Sequence, residues 1–392
     1  MFRSDRLIGI LVATLLGLCM VAPSSAQFWR GGGGNSINNP PVNQREFDMM
    51  ARMLKLDEVQ QEIAADMFAV LQNEFGQISE VAREISQGVR EEFSRTRDPS
   101  VWQEFQRRMA TFEARVKELG EQFYGDVRIL LVEDQMELWD SFERRRFRGR
   151  AITRQEQMLS GVGIDLVVLT EEMRLSNEQR EAVSEVLNQY EIDLDRRLRT
   201  YRRIADEQQR KAEELGQNGN WMQNLDQYNE IFASVRNELV QVRGVHERYL
   251  SMIASRLEPE AQADLRRRYN TAAYPDIYRD SYVDTGLRQI MAMDSLTEEQ
   301  REFVVAVNEG WQRESERLRG QLARSQRERE ESMRLQDMWG GTRNTDTREA
   351  QNKLRDLQIQ FYDQLLSVLT EEQKVGLPER PATDWRNRSF DF

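Results

Sequence analysis

One cysteine, one histidine, eight prolines and five lysines in 392 residues set the first limits on this chain. Cys19 falls in an apolar N-terminal run, so the remainder has no thiol for a disulfide, a nucleophile or a thiolate ligand. With His246 alone, Ser-His-Asp and Cys-His catalysis have no supporting spacing, and a two-histidine metal site cannot form within one chain. His246 stands between Val242 and Tyr249 at helical-seam spacing, which predicts a buried structural side chain. The glycines at 31–34 are followed by no Lys-Ser or Lys-Thr, so they do not form a phosphate loop. Paired carboxylates occur throughout, as on any charged helical surface, and mark no acid-base site. These absences predict a non-enzymatic protein with no cofactor and no metal.

The charge balance narrows the partners. Net charge is −12 with a pI near 5.0, which disfavours nucleic acid. Of 55 basic residues only Lys55, Lys117, Lys211, Lys353 and Lys374 are lysines, so the surface is expected to be a mesh of Arg with Glu and Asp at helical spacing. The runs Arg144-Arg145-Arg146 and Arg266-Arg267-Arg268 lack interleaved aromatics for base stacking and are read as solvated helix faces.

What the chain does have is a repeated phrase. Leu296-Thr297-Glu298-Glu299-Gln300 and Leu369-Thr370-Glu371-Glu372-Gln373 match closely, and looser copies begin at Leu56 (through Gln60) and at Leu175. In the Leu175 copy Ser176 precedes Gln179 by three, as Thr297 precedes Gln300. This is the capping-box spacing, in which a hydroxyl accepts from a backbone N–H and the Gln reaches back. Closing partners stand at Leu131 with Gln135, and at Leu257, where Pro259 suits a first turn but Ala261 breaks the Gln pattern. The opening leucines 56, 175 and 296 define three units of about 120 residues.

Within each unit, apolar residues recur at steps of three and four in two arms. Ile63, Met67, Val70, Phe75, Ile78, Ala82 and Ile85 are expected as the seam of one first arm, and Val304, Val307, Trp311, Leu318 and Leu322 as that of another. Second arms run from Trp102 to Leu130, from Leu225 to Ile253 and from Leu354 to Val368. The expected fold is all-α: three tandem long antiparallel helical hairpins, each preceded by a short helix. The division reads 1–26 signal peptide, 27–44 tether, 45–148 unit one, 149–164 linker, 165–270 unit two, 271–286 linker, 287–377 unit three and 378–392 tail.

The signal-peptide reading rests on Arg3 and Arg6, the apolar run Leu7 to Ala22, and Pro23-Ser24-Ser25-Ala26. A retained anchor would need roughly 20 apolar residues, more than the run supplies. Leu18 before Cys19 does not suit a lipoprotein signal. Cleavage after Ala26 predicts a periplasmic or secreted protein with no stable membrane span and a net charge of −13.

Two feature sets are candidate contact points for partners. Trp102, Trp221 and Trp339 fall at the three expected hairpin tips, where they would otherwise plug the open end of a two-helix core. Met49, Met50, Met53, Met291 and Met293 belong to the short apolar segments before units one and three, as adaptable contacts or as core filler.

The paired phrases at 296 and 369, flanking a helical hairpin in an exported chain, resemble the LTxxQ periplasmic family of Spy- and CpxP-like proteins. That family implies all-helical envelope proteins, among them ATP-independent chaperones, stress-pathway modulators and metal-responsive sensors. Its members are usually one hairpin with a basic cradle, whereas this chain fuses three units and is acidic, and it lacks the histidines of the metal-sensing branch. The resemblance implies an ATP-independent binder of unfolded or amphipathic proteins, and homo-oligomers are compatible with it. The alternatives are a spectrin-like scaffold of the cell envelope and an envelope-stress signalling modulator.

Overall fold

Capping chemistry starts the helices where the repeated phrases stand. The computed structural model describes residues 39–98, 100–152, 159–218, 224–337 and 345–380; within them the chain is all-α, with thirteen helices and no strand. Asp57 and Gln60 form a reciprocal capping box, as do Thr297 with Gln300 and Thr370 with Gln373. Ser176 and Gln179 exchange the same two bonds, at 3.2 and 3.1 Å. Each box satisfies two of the backbone N–H groups that a helix start leaves open.

Two compact units divide at Arg266. The first holds α1 (Gln44–Met53), α2 (Glu58–Thr96), α3 (Ser100–Ile129), α4 (Glu133–Ile152), α5 (Leu166–Glu171), α6 (Asn177–Asn218) and α7 (Leu225–Ala254). Helix α8 (Pro259–Ala273) crosses the division. The second unit continues with α9 (Pro275–Tyr278), α10 (Tyr282–Met291), α11 (Glu298–Ser332), α12 (Thr345–Ser367) and α13 (Glu371–Lys374).

In the first unit α2 packs on α3 and α6 on α7. At about 1.5 Å per residue, the 39 residues of α2 span about 58 Å. The core under α1 gathers Met50, Leu54, Phe68, Leu71, Phe123, Val127 and Phe142, with Phe47 stacked on Phe68 at 4.8 Å between ring centres. Each such side chain contributes about 1.5–3 kcal/mol by leaving water. In the second unit α10 packs on both α11 and α12, burying Val283, Leu287 and Ile290 against Val304, Trp311, Tyr362 and Leu365. Gly286 is required there, because a Cβ would lie 2.8 Å from the Tyr362 ring.

Several expectations need correction. The seam of α2 runs through Gln60, Ala64, Phe68, Leu71 and Ala82, while Ile63 and Val70 are 39% and 58% exposed. Met67, Phe75, Ile78 and Ala82 of the expected seam do lie inward, so the correction concerns Ile63 and Val70, and Phe47 and Phe123 around Phe68 set which neighbours face the core there. The stretch read as a linker at 149–164 begins inside α4 and ends as packed chain, with Leu159, Val162 and Ile164 buried. The second, 271–286, contains the end of α8, all of α9 and the start of α10, so the short helix before α11 begins at Tyr282 rather than 287. The end of the expected tether is also packed: Pro41 and Val42 are buried, and Asn43 caps α1. The hairpins read as units one and two fall in a single compact unit, because α4 runs on to pack along α6.

Candidate functional site

The Gln of the repeated phrase does more than cap its own helix. Gln60 donates through Nε2 to Gln135 Oε1 (2.9 Å) and to the Leu130 carbonyl (2.7 Å). Gln135 returns the bond to Gln60 Oε1 (2.8 Å) and donates to the Lys55 carbonyl (3.0 Å). Each Oε1 also accepts the backbone N–H of its own cap, from Asp57 and from Val132. The two amides form a closed clasp with their hydrogen-bonding capacity met, joining the start of α2 to the start of α4. Gln300 and Gln373 repeat it at 3.1 and 3.3 Å, with Val368 and Ser295 as the carbonyl acceptors. The leucines of the phrases pack beside the clasps: Leu56 and Leu369 are buried, and Leu131 and Leu296 are partly buried.

Gln60→Ala is expected to cost about 2 kcal/mol, since the Leu130 carbonyl and the Gln135 amide lose partners in a nearly closed site. Gln135→Ala should cost a similar amount. Together they should fall short of the sum by about 1 kcal/mol, because either change alone opens the clasp. Urea unfolding of the three variants reads this, and strictly additive losses would refute the clasp.

Around Leu175 and Leu257, Gln179 caps its own helix with Ser176, and the arms are tied through a different set of residues. The Leu166 N–H donates to the Tyr190 hydroxyl (3.1 Å), which lies 2.9 Å from His246 Nδ1, and His246 Nε2 lies 3.1 Å from the Val162 carbonyl. The carbonyl can only accept, so Nε2 carries a proton. His246 is fully buried, as its seam position predicts. Burial holds its pKa down to about 4, against smaller upward effects of the Val162 carbonyl and Asp165.

A third recurrence is electrostatic. An acidic residue at the start of each short helix is held by an arginine from another element: Glu46 by Arg150 (3.0 Å), Asp165 by Arg148 (2.9 Å) and Asp284 by Arg319 (2.8 Å). Arg148 is fully buried and also binds Glu191 of α6 at 2.7 Å. Burial alone would lower its pKa, but Asp165 and Glu191 hold it above the usual arginine value. At Asp284 burial pushes the carboxyl upward, yet the Trp311 indole N–H, the Arg319 charge and Ser281 together hold it below the usual range. The 144–146 run is not a solvated face either: Arg145 is 17% exposed and makes two 2.7 Å bonds to Glu171, and Arg146 pairs with Glu143. Of the 266–268 run, Arg266 and Arg267 are exposed as expected, while Arg268 is half-buried.

The methionines divide. Met50 is fully buried in the core under α1, and Met49 and Met53 are half-buried against it. Met293 packs against the second core, whereas Met291 is 44% exposed. Trp221 and Trp339 lie outside the described residues, as does the Trp102 side chain.

Exposed aliphatic side chains gather instead on α2, where Val59, Ile63, Val70 and Val81 are 65%, 39%, 58% and 46% exposed. Two surface depressions, one along α11 lined by Asn308, Gln312 and Glu316 and one lined by Asp140, Arg144, Asp195 and Arg199, are open to solvent and charged. Among the described residues no group of three His, Cys, Asp or Glu could hold a metal ion, and no helix is long and apolar enough to cross a membrane. Comparison with family models, with curated proteins and with solved structures returned no match.

Proposed function

We propose that this chain is an exported, non-enzymatic member of the LTxxQ-type helical proteins that binds partly unfolded or amphipathic proteins without ATP. The observation that carries the reading is the row of exposed valine and isoleucine side chains on α2, set among carboxylates on a long helix whose fold is secured elsewhere. Apolar contacts that are shallow and ringed by charge give weak, reversible attachment, which suits a client that must be released without an energy source. Glutamine clasps and arginine latches support the same reading, because they hold the helices rigid and leave that face open at no cost to the core.

The test is light scattering of a reduced or heated model client with the chain lacking residues 1–26. Suppression of aggregation near a stoichiometric ratio, without ATP, is the expected result. A well-folded helical spectrum with no suppression would reject the binder reading in favour of an envelope scaffold. One observation favours that second reading: α4 packs on both α1 and α6, making a continuous body of two hairpins where a flexible linker was expected.

A further inference from the structure

We propose that the face of α2 from Val59 to Val81 docks a basic amphipathic segment of another protein, apolar along one side and bearing Lys or Arg beside it. This rests on the binder reading above and names the chemistry of its partner.

The geometry comes first. At about 100° per residue, Val59, Ile63, Val70 and Val81 fall within an arc of about 40°, over a length of about 33 Å. The buried seam of the same helix, through Ala64, Phe68, Leu71 and Ala82, is centred roughly 110° away. Met67 and Ile78, half-buried against the core, lie between the two, so the row borders the core and faces solvent. Single exposed apolar residues are ordinary; these four share one helix face, with Asp66, Glu74 and Gln77 set among them. Valine and isoleucine are also weaker helix formers than the Leu, Gln, Glu or Arg that would serve a solvated face.

Charge then selects the partner. From residue 57 to residue 82 the chain carries Asp57, Glu58, Glu62, Asp66, Glu74 and Glu80 and no Lys or Arg, the next basic residue being Arg83. Shorter base-free runs occur elsewhere, as at 129–143 and 181–195, but this one lies along the face that carries the exposed valines. By the same helical angles Asp66 flanks the stripe on one side and Glu74 on the other. Arg115 of α3 reaches Glu74 only at 4.0 Å, with both side chains about half exposed, so water and salt screen most of that pair. A basic amphipathic helix of about 20 residues matches the stripe in length, lays its apolar side on the valines and extends its cationic tips to the flanking carboxylates. An anionic lipid surface or a nucleic acid is repelled by the same carboxylates. A second copy meeting stripe to stripe would oppose two acidic runs, and the proposal excludes it as the occupant.

The experiment measures fluorescence anisotropy of labelled synthetic helices with the purified chain. One probe places Leu and Lys in amphipathic order, a second replaces every Lys with Glu, and a third shuffles the first. The first probe should bind about tenfold or more tightly than either control, and should weaken as salt is raised. The variants Val59→Gln/Val70→Gln/Val81→Gln and Glu62→Gln/Asp66→Asn/Glu80→Gln change only exposed side chains, so their helical spectra and melting should match the parent. Each should bind the first probe about tenfold more weakly. Parent-like binding by either variant, or equal binding of the Glu probe, would overturn the proposal. A dimer in light scattering that the valine variant abolishes would assign the face to a second copy and overturn it as well. If the probes fail while client aggregation is still suppressed, the partner class falls and the binder reading stands; if suppression is absent too, both fall.

Discussion

Arg148→Ala is expected to destabilise the compact unit ending at Arg266 by about 3–5 kcal/mol. The guanidinium is fully buried and holds Asp165 at 2.9 Å and Glu191 at 2.7 Å, two carboxylates that are themselves only 14% and 11% exposed. Removing the cation leaves two negative charges close together in a poorly solvated site, and that desolvation, more than the lost attraction, sets the cost. Hydrogen exchange should report the loss in α4, α5 and α6, the elements these three residues join. Amides of α11 and α12 in the other unit serve as the internal control. Combining Arg148→Met with Asp165→Asn and Glu191→Leu removes the charges together, and most of the stability should return. Unchanged protection in α4 to α6 of the single variant would show that Arg148 does not join the hairpins.

The second large effect depends on pH. The unfolded chain takes up a proton on His246 near pH 6.5, while in the folded unit burial delays protonation to about 4. Between those values the unfolded state binds more protons, so stability falls as pH falls through that window. The full difference is roughly 3 kcal/mol at its acid end. The groups facing the ring agree with a neutral imidazole: the Tyr190 hydroxyl on Nδ1, the Val162 carbonyl on Nε2, and Arg148 beside Asp165, whose opposite charges act on it in opposite directions. Because carboxylates titrate in the lower part of this range, the diagnostic interval lies from about pH 6.5 to 5. Urea midpoints of the parent should decline across it, and those of His246→Gln should stay flat there whatever their absolute value. A parent curve as flat as the variant's would refute the assignment.

Much of the fold was legible in the sequence because its signals are local. The Thr297–Gln300 box, the first-turn Pro259 and the seams through Val304, Val307 and Trp311 or Val235, Leu239 and Val242 each depend on residues three or four apart, and the helices carry them out. The candidate site was less legible because its parts are distant in sequence. Gln60 meets Gln135 across 75 residues, and Arg148 meets Glu191 across 43. The clasp had a signal that could have been followed, since a Gln recurs at both ends of two hairpins. The arginine latches had none beyond an acidic residue ten to twelve positions before each opening leucine. The methionines could not be assigned from the sequence because adaptable surface and adaptable core share one composition, and only packing separates Met50 from Met291.

The sequence by itself determined the helical class, the starts of the helices and the threefold recurrence, since capping and periodicity act through the nearest turns of the chain. Tertiary structure decided that Ala64, Phe68 and Leu71, rather than Ile63 and Val70, face inward along the first half of α2, and it turned two expected linkers into packed elements. It also merged the first two hairpins through α4. Each of those outcomes is set by which distant side chain fills the neighbouring space, and a single helix in water carries no information about its neighbours.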